Sequence, residues 1–198
     1  MTESSLVETA RRWVVETYPY NRDHLVCALA WLDRLAPGSH EAVRLATLTH
    51  DMERAFPGPD SPEMQSLNDP VYIRLHSERS AKIVGTWLRE HGASEALARH
   101  VETLILAHET GGWLEADMVQ AADSLSFFDT NVELFLGFVR AGRFTAADVR
   151  WKFEHSYQRI RVPQAKALAL PRFEEAGARL ARLELGLPRA SARRPRAR

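Results

Sequence analysis

Cysteine is nearly missing from this chain. Cys27 stands alone, so no intramolecular disulfide can form and a cysteine-based zinc site is excluded. A single thiol fits a reducing compartment. It lies in the apolar run 25–32 and is expected to pack as a small core residue. Long hydrophobic runs are missing too. No stretch approaches the roughly 18–20 apolar residues of a membrane span. The opening residues, MTESSLVETARRW, lack the charged-then-apolar layout of a signal peptide. The expected location is cytoplasmic, with no membrane partner. Net charge is also missing: 26 basic residues balance 26 acidic ones, so no global field points to nucleic acid. The balance is uneven along the chain. Arg189, Arg193, Arg194, Arg196 and Arg198 crowd the last stretch without an acid, which leaves the body mildly acidic. That segment, 187–198, cannot bury apolar surface and is expected to be a flexible basic tail. Its arginines give at most weak, salt-sensitive attraction to an anionic partner, so no specific nucleic-acid binding is expected.

Strand-type alternation and internal repeats are absent, and the pattern that is present is helical. With 198 residues and 45% apolar composition, one domain with a sizeable core is expected over 1–186. Val7, Ala10, Val14 and Val15 give a first helix one apolar face, ending near Tyr18-Pro19. Asn21 or Asp23 can cap a second helix through Leu35, stopped by Pro37-Gly38. Ser39 is the expected cap of a third, leading into His50. Residues 56–70 hold four prolines and read as a long loop, a lid or binding element. Helices are then expected over 71–90, from a Ser94 cap to His108, over 114–139 in one or two pieces, over 145–160, and over 164–185 after Pro163. The fold class is all-α.

Against that background stands a spaced series of metal-ligand residue types: His24, His50-Asp51, His76, His108 and Asp123. Each falls on or at the end of an expected helix, flanked by small or apolar residues, as in DHLVCALAWL, LHSERSAK, LILAHETGG and AADSLSFFD. Helical bundles commonly build metal sites from facing helices. Imidazoles with carboxylates suit Fe, Mn, Co, Ni or Zn, and six donors are enough for two ions. A lone histidine on an apolar face is more often a satisfied core residue. His40, His91, His100 and His155 are assigned to that class, although His100 lies two turns before His108 and shares its face.

The order His, His-Asp, His, His, Asp on a helical chain resembles the HD-domain superfamily of metal-dependent phosphohydrolases, over residues 23–131. The resemblance implies an HD-type helical bundle with its metal-site core at about 22–131. It implies that His24, His50, Asp51 and Asp123 form one metal site, that His76 and His108 add a second, and that Asp51 bridges the two. The implied cofactor is a pair of divalent transition-metal ions, Fe or Mn. LHSERSAKIV, LILAHETGGW and AADSLSFFD look most similar to the family's dinuclear nucleotide-hydrolysing members. Those often carry His-Thr-Gly where this chain has His108-Glu109-Thr110-Gly111. The absence of a following Gly-Tyr-Pro motif argues against a cyclic-dinucleotide phosphodiesterase.

The implied activity is hydrolysis of a nucleotide or small phosphorylated metabolite by a metal-bridging hydroxide. The same ligand order also occurs in HD-type di-iron oxygenases, which cleave C–C or C–P bonds, and it would serve a non-catalytic nucleotide sensor. A phosphate substrate calls for cations near the metals. Arg79 and Lys82 follow His76 on one expected helix, Arg54 follows the doublet, and Lys152 and Arg159 lie two turns apart on a later helix. The alternative for each is a solvated cation or an ion pair, with Glu53 and Glu78 as partners. Glu53 and Glu109 are candidate proton shuttles or carboxylates that orient a ligand histidine. The second role is favoured for Glu109, and Glu53 is left open as a catalytic residue. Trp31, Phe56, Trp87, Trp113, Phe127 and Phe128 sit at helical spacing and are expected mostly in the core. A monomer or a homodimer is compatible with this reading.

Overall fold

The computed structural model describes residues 5–187. The expected basic tail, apart from Leu187, lies outside the described residues. Nine α-helices follow in order: α1 Ser5–Thr17, α2 Arg22–Leu35, α3 Glu41–Thr49, α4 Pro70–Glu90, α5 Glu95–Ala107, α6 Leu114–Thr130, α7 Val132–Arg140, α8 Ala146–Gln158 and α9 Pro163–Glu184. A 3-10 turn, Met52–Ala55, follows α3, and no strand occurs among the described residues. The all-α, single-domain expectation holds. No described helix is long and apolar enough to cross a membrane.

Helix α6 is the axis of the bundle. Its residues 119–128 are buried without interruption, so it has no solvent face and must be surrounded. It packs most extensively on α2, then on α9 and α3. α3 is buried at every position from Ala42 to Thr49 except Arg44, and it lies against α5, α2 and α1. α4 covers α5, and α8 and α9 pack on each other beside α6. Leu25, Leu45, Leu48, Leu104, Leu125 and Phe153 are among the large side chains sealed inside. Each such burial contributes about 1.5–3 kcal/mol before entropy is counted.

The helix boundaries follow local chemistry. Ser94 accepts the Leu97 amide at 3.2 Å, as expected of a cap. Thr145 and Asp148 form a reciprocal capping box at the start of α8. Ser39 does not cap α3: His40 holds that position without a side-chain bond, and the Ser39 hydroxyl instead donates to the Ala36 carbonyl at 2.7 Å. α4 begins with Asp69, which accepts from the Val71 and Tyr72 amides, and with Pro70 in the first turn, where a missing amide costs nothing. Pro171 sits inside α9. It removes the amide that would reach the Ala167 carbonyl, and both residues are exposed, so the freed carbonyl meets solvent.

The 56–69 loop is tethered. Leu67 is buried, and Arg79 donates to the Phe56 carbonyl at 2.7 Å and to Asp60 at 3.2 Å. Trp31, Trp87, Phe127 and Phe128 are core residues as expected, Phe56 packs partly buried against them, and Trp113 is exposed. Cys27 is half-buried against the same core.

Candidate metal centre

The six predicted donors are all buried, between 0% and 6% exposed, and they converge. His24 enters from the first turn of α2 and Asp123 from the middle of α6. His50 is the C-cap of α3, with Asp51 directly after it. His76 comes from α4, and His108 is the C-cap of α5. Two groups form, one of His24, His50 and Asp123 and one of Asp51, His76 and His108, each with its donor atoms within 4.8 Å of one another.

In all four imidazoles Nδ1 is committed, which turns Nε2 inward. His50 Nδ1 lies 2.9 Å from the Thr47 carbonyl, and His108 Nδ1 lies 2.6 Å from the Ile105 carbonyl. A carbonyl only accepts, so both Nδ1 atoms carry the hydrogen. His76 Nδ1 donates to the Glu53 carboxylate at 3.0 Å. Ser126 gives its hydroxyl hydrogen to the His24 carbonyl at 2.6 Å and so accepts from His24 Nδ1 at 3.0 Å. The Nε2 atoms of His50, His76 and His108 are buried and have no hydrogen-bond partner. Orphaned buried polar atoms of this kind are rare and call for an explanation.

The spacing suits a cation. Two donors each about 2.0–2.2 Å from one ion stand roughly 3.0–3.6 Å apart when the angle is about 90–120°. His24 Nε2 is 3.1 Å and His50 Nε2 3.4 Å from Asp123 Oδ1. His76 Nε2 is 2.9 Å from Asp51 Oδ1, a contact without hydrogen-bond geometry. The same Asp51 oxygen is 4.0 Å from His50 Nε2, so it stands between the two groups. The donor set and its tautomers fit divalent transition metals.

The electrostatics agree. Burial opposes ionisation of Asp51, but Arg54, His76 and His50 outweigh it and hold its pKa well below the usual carboxylate range. Asp123 is likewise depressed, against its burial, by Arg159, His50 and His24. Burial disfavours charge on His50, yet Asp123 and Asp51 raise its pKa to about 9. His108 is lowered to about 4, chiefly by burial, and stays neutral. The two carboxylates draw positive charge to the centre, the field that also favours a bound cation.

The two glutamates lie on different sides of the imidazoles. Glu53, buried, faces Nδ1 of His76 and is held there by Arg79, which donates to its carbonyl at 2.9 Å and approaches its carboxylate at 3.4 Å. It orients the His76 ring from the side away from the inward nitrogens. Glu109 stands on the inward side instead, 3.7 Å from His108 Nε2. The cause is helical position. His50 and His108 sit at helix C-termini, where the last carbonyls have no i+4 amide in the helix, and a backbone oxygen three residues back holds each Nδ1. His76 is mid-helix, and a side chain, the Glu53 carboxylate, holds its Nδ1.

Three of the five expected phosphate-binding cations are spent inside the protein. Arg54 pairs with Asp51 and donates to the Tyr72 hydroxyl at 3.2 Å. Arg79 is committed to Glu53 and the loop. Arg159 donates from Nη1 to Glu109, from Nη2 to Asp123, and from Nε to Ser124 at 3.0 Å. Their fork geometry recognises the protein's own carboxylates and carbonyls. Lys82 is exposed and acts on Asp60. Lys152 lies beside Phe127 and feels Glu109 and Asp123.

Four other histidines stay outside. His100 pairs with Glu115 at 2.9 Å, His91 caps the Trp87 carbonyl, His155 stacks on Trp151, and His40 starts α3. Ser126 and Tyr72 were missed by sequence reasoning. Ser126 follows Asp123 by three residues and so shares its helical face, a signal that was readable. Tyr72 stacks on His76 at 5.7 Å, one turn before it.

Searches against protein-family models, curated proteins and solved structures found no match for this chain.

Proposed function

We propose that this chain is an HD-type, metal-dependent phosphohydrolase acting on a nucleotide or a small phosphorylated metabolite. The observation that carries the reading is the set of four imidazoles with Nδ1 committed, three of which bring Nε2 within 2.9–3.4 Å of an aspartate oxygen. His24, His50 and Asp123 would hold one ion, His76 and His108 the other, and Asp51 would serve both. Such ions, Fe or Mn by the donor set, act as Lewis acids on a phosphoryl oxygen and lower the pKa of bound water.

The chain's own residues do the rest. Glu53 fixes the ring of His76, Ser126 that of His24, and backbone carbonyls those of His50 and His108. Arg54 and Arg159 each hold the outer oxygen of one aspartate, which leaves its Oδ1 facing inward. Burial of all six donors keeps bulk water off the centre, where charge interactions are stronger.

The test is a screen of phosphorylated metabolites with Fe- or Mn-loaded protein, run with and without air. Release of inorganic phosphate in both atmospheres, lost in Asp51→Asn, is the expected result. Turnover only with oxygen uptake would replace the hydrolase by an oxygenase. Tight nucleotide binding without turnover would make the chain a sensor.

A further inference from the structure

The cation balance around the centre is uneven. Arg54, Arg79 and Arg159 are tied to protein acceptors. Lys152 is not. No hydrogen bond or ion pair engages its ammonium among the described residues, and it lies over the Phe127 ring, 5.6 Å to the centroid. It projects from α8, one helical face with Arg159, and the charges of Glu109, Arg159, Asp123 and Arg54 all act on it. It is half-buried. An ammonium in such a place is only partly desolvated and keeps its hydrogen-bond donors free of protein acceptors.

Resting on the reading above, we infer that Lys152 is the cation that receives the substrate's phosphoryl group, and that the substrate is a monophosphate ester. A compact ammonium with three donors suits the non-bridging oxygens of one phosphoryl group. A triphosphate carries far more charge and needs several cations or bidentate arginines, and Arg79 and Arg159 are already engaged by protein acceptors. Burial lowers the Lys152 pKa, with Glu109 opposing. A phosphoryl dianion beside it would push that pKa back up.

The experiment uses the full chain loaded with Mn. Metal content is counted, and the binding of inorganic phosphate is measured by calorimetry, for wild type, Lys152→Met, Lys152→Arg and Arg99→Met. Lys152→Met is expected to keep its metal and to bind phosphate at least tenfold more weakly. Lys152→Arg stays within about threefold of wild type by keeping the charge, and Arg99→Met, which removes an exposed cation paired with Glu95, is unchanged. A nucleoside monophosphate is then compared with its triphosphate as competitor, and the triphosphate should gain nothing that depends on Lys152.

Wild-type phosphate affinity in metal-loaded Lys152→Met overturns the inference while leaving the metal centre intact. So does a triphosphate that binds tighter than the monophosphate in wild type and loses that advantage in Lys152→Met. A wild type that takes up no metal overturns the phosphohydrolase reading instead. The role of Lys152 is then decided on the metal-free chain, where Lys152→Met must still weaken phosphate binding.

Discussion

Where an imidazole sits on its helix decides what holds its outer nitrogen. His50 and His108 end α3 and α5 and use carbonyls three residues back. His76 is interior to α4 and depends on Glu53. Glu53→Gln therefore weakens one ion and spares the other. We expect affinity at the Asp51–His76–His108 group to fall roughly 10–100-fold, read by metal titration, with the His24–His50–Asp123 group unchanged. Equal loss at both groups would mean that Glu53 supports the fold and not the ring. The six donors themselves were legible because residue type and order survive without coordinates. The partners were not, because a carbonyl at position i−3 has no residue type to read, and Glu53 and Glu109 look equivalent until the direction of each ring is known.

At the scale of elements, the bundle was legible wherever a periodic face met a stop signal. The expected helices over 71–90, from Ser94, over 145–160 and over 164–185 all form, because Asp69-Pro70, Ser94, Thr145 and Pro163 satisfy or remove orphan amides. The division of 114–139 at Asn131 and the failure of Ser39 to cap were not legible, since each depends on which hydrogen bond wins locally. The arginines misled for a related reason. Helical geometry places Arg79 within a turn of His76 and Arg159 two turns from Lys152, but it does not say that an acid waits there. α8 carries Lys152 and is C-capped by Arg159, so its capping box bears on the centre. Thr145→Ala should cost about 1 kcal/mol in urea unfolding and leave metal content at the wild-type level. A loss of metal would show that the start of α8 positions the centre directly.

Across the whole molecule, the buried donors are a charge problem that the fold has to solve. Nearby cations share the load, and they leave a trace in pH dependence away from the ligands. His155 stacks on Trp151, and burial, with Arg159 and Lys152, lowers its pKa to about 4. The unfolded chain binds that proton at about pH 6.5. Between these values the unfolded state holds more protons, so stability is complete above about 6.5 and falls as pH drops toward 4. His155→Gln should flatten that part of the stability profile, measured by urea unfolding at several pH values; an unaltered slope would assign the acid sensitivity elsewhere.

Metal counting tests the central claim most directly. Protein stripped of metal, reloaded with Mn or Fe and analysed for ions per chain is compared across wild type, His24→Ala and His76→Ala, with folding checked by circular dichroism. The account predicts two ions in the wild type and one in each variant, because each histidine serves a different group. A folded wild type holding less than one ion per chain, or variants that lose nothing, would contradict it.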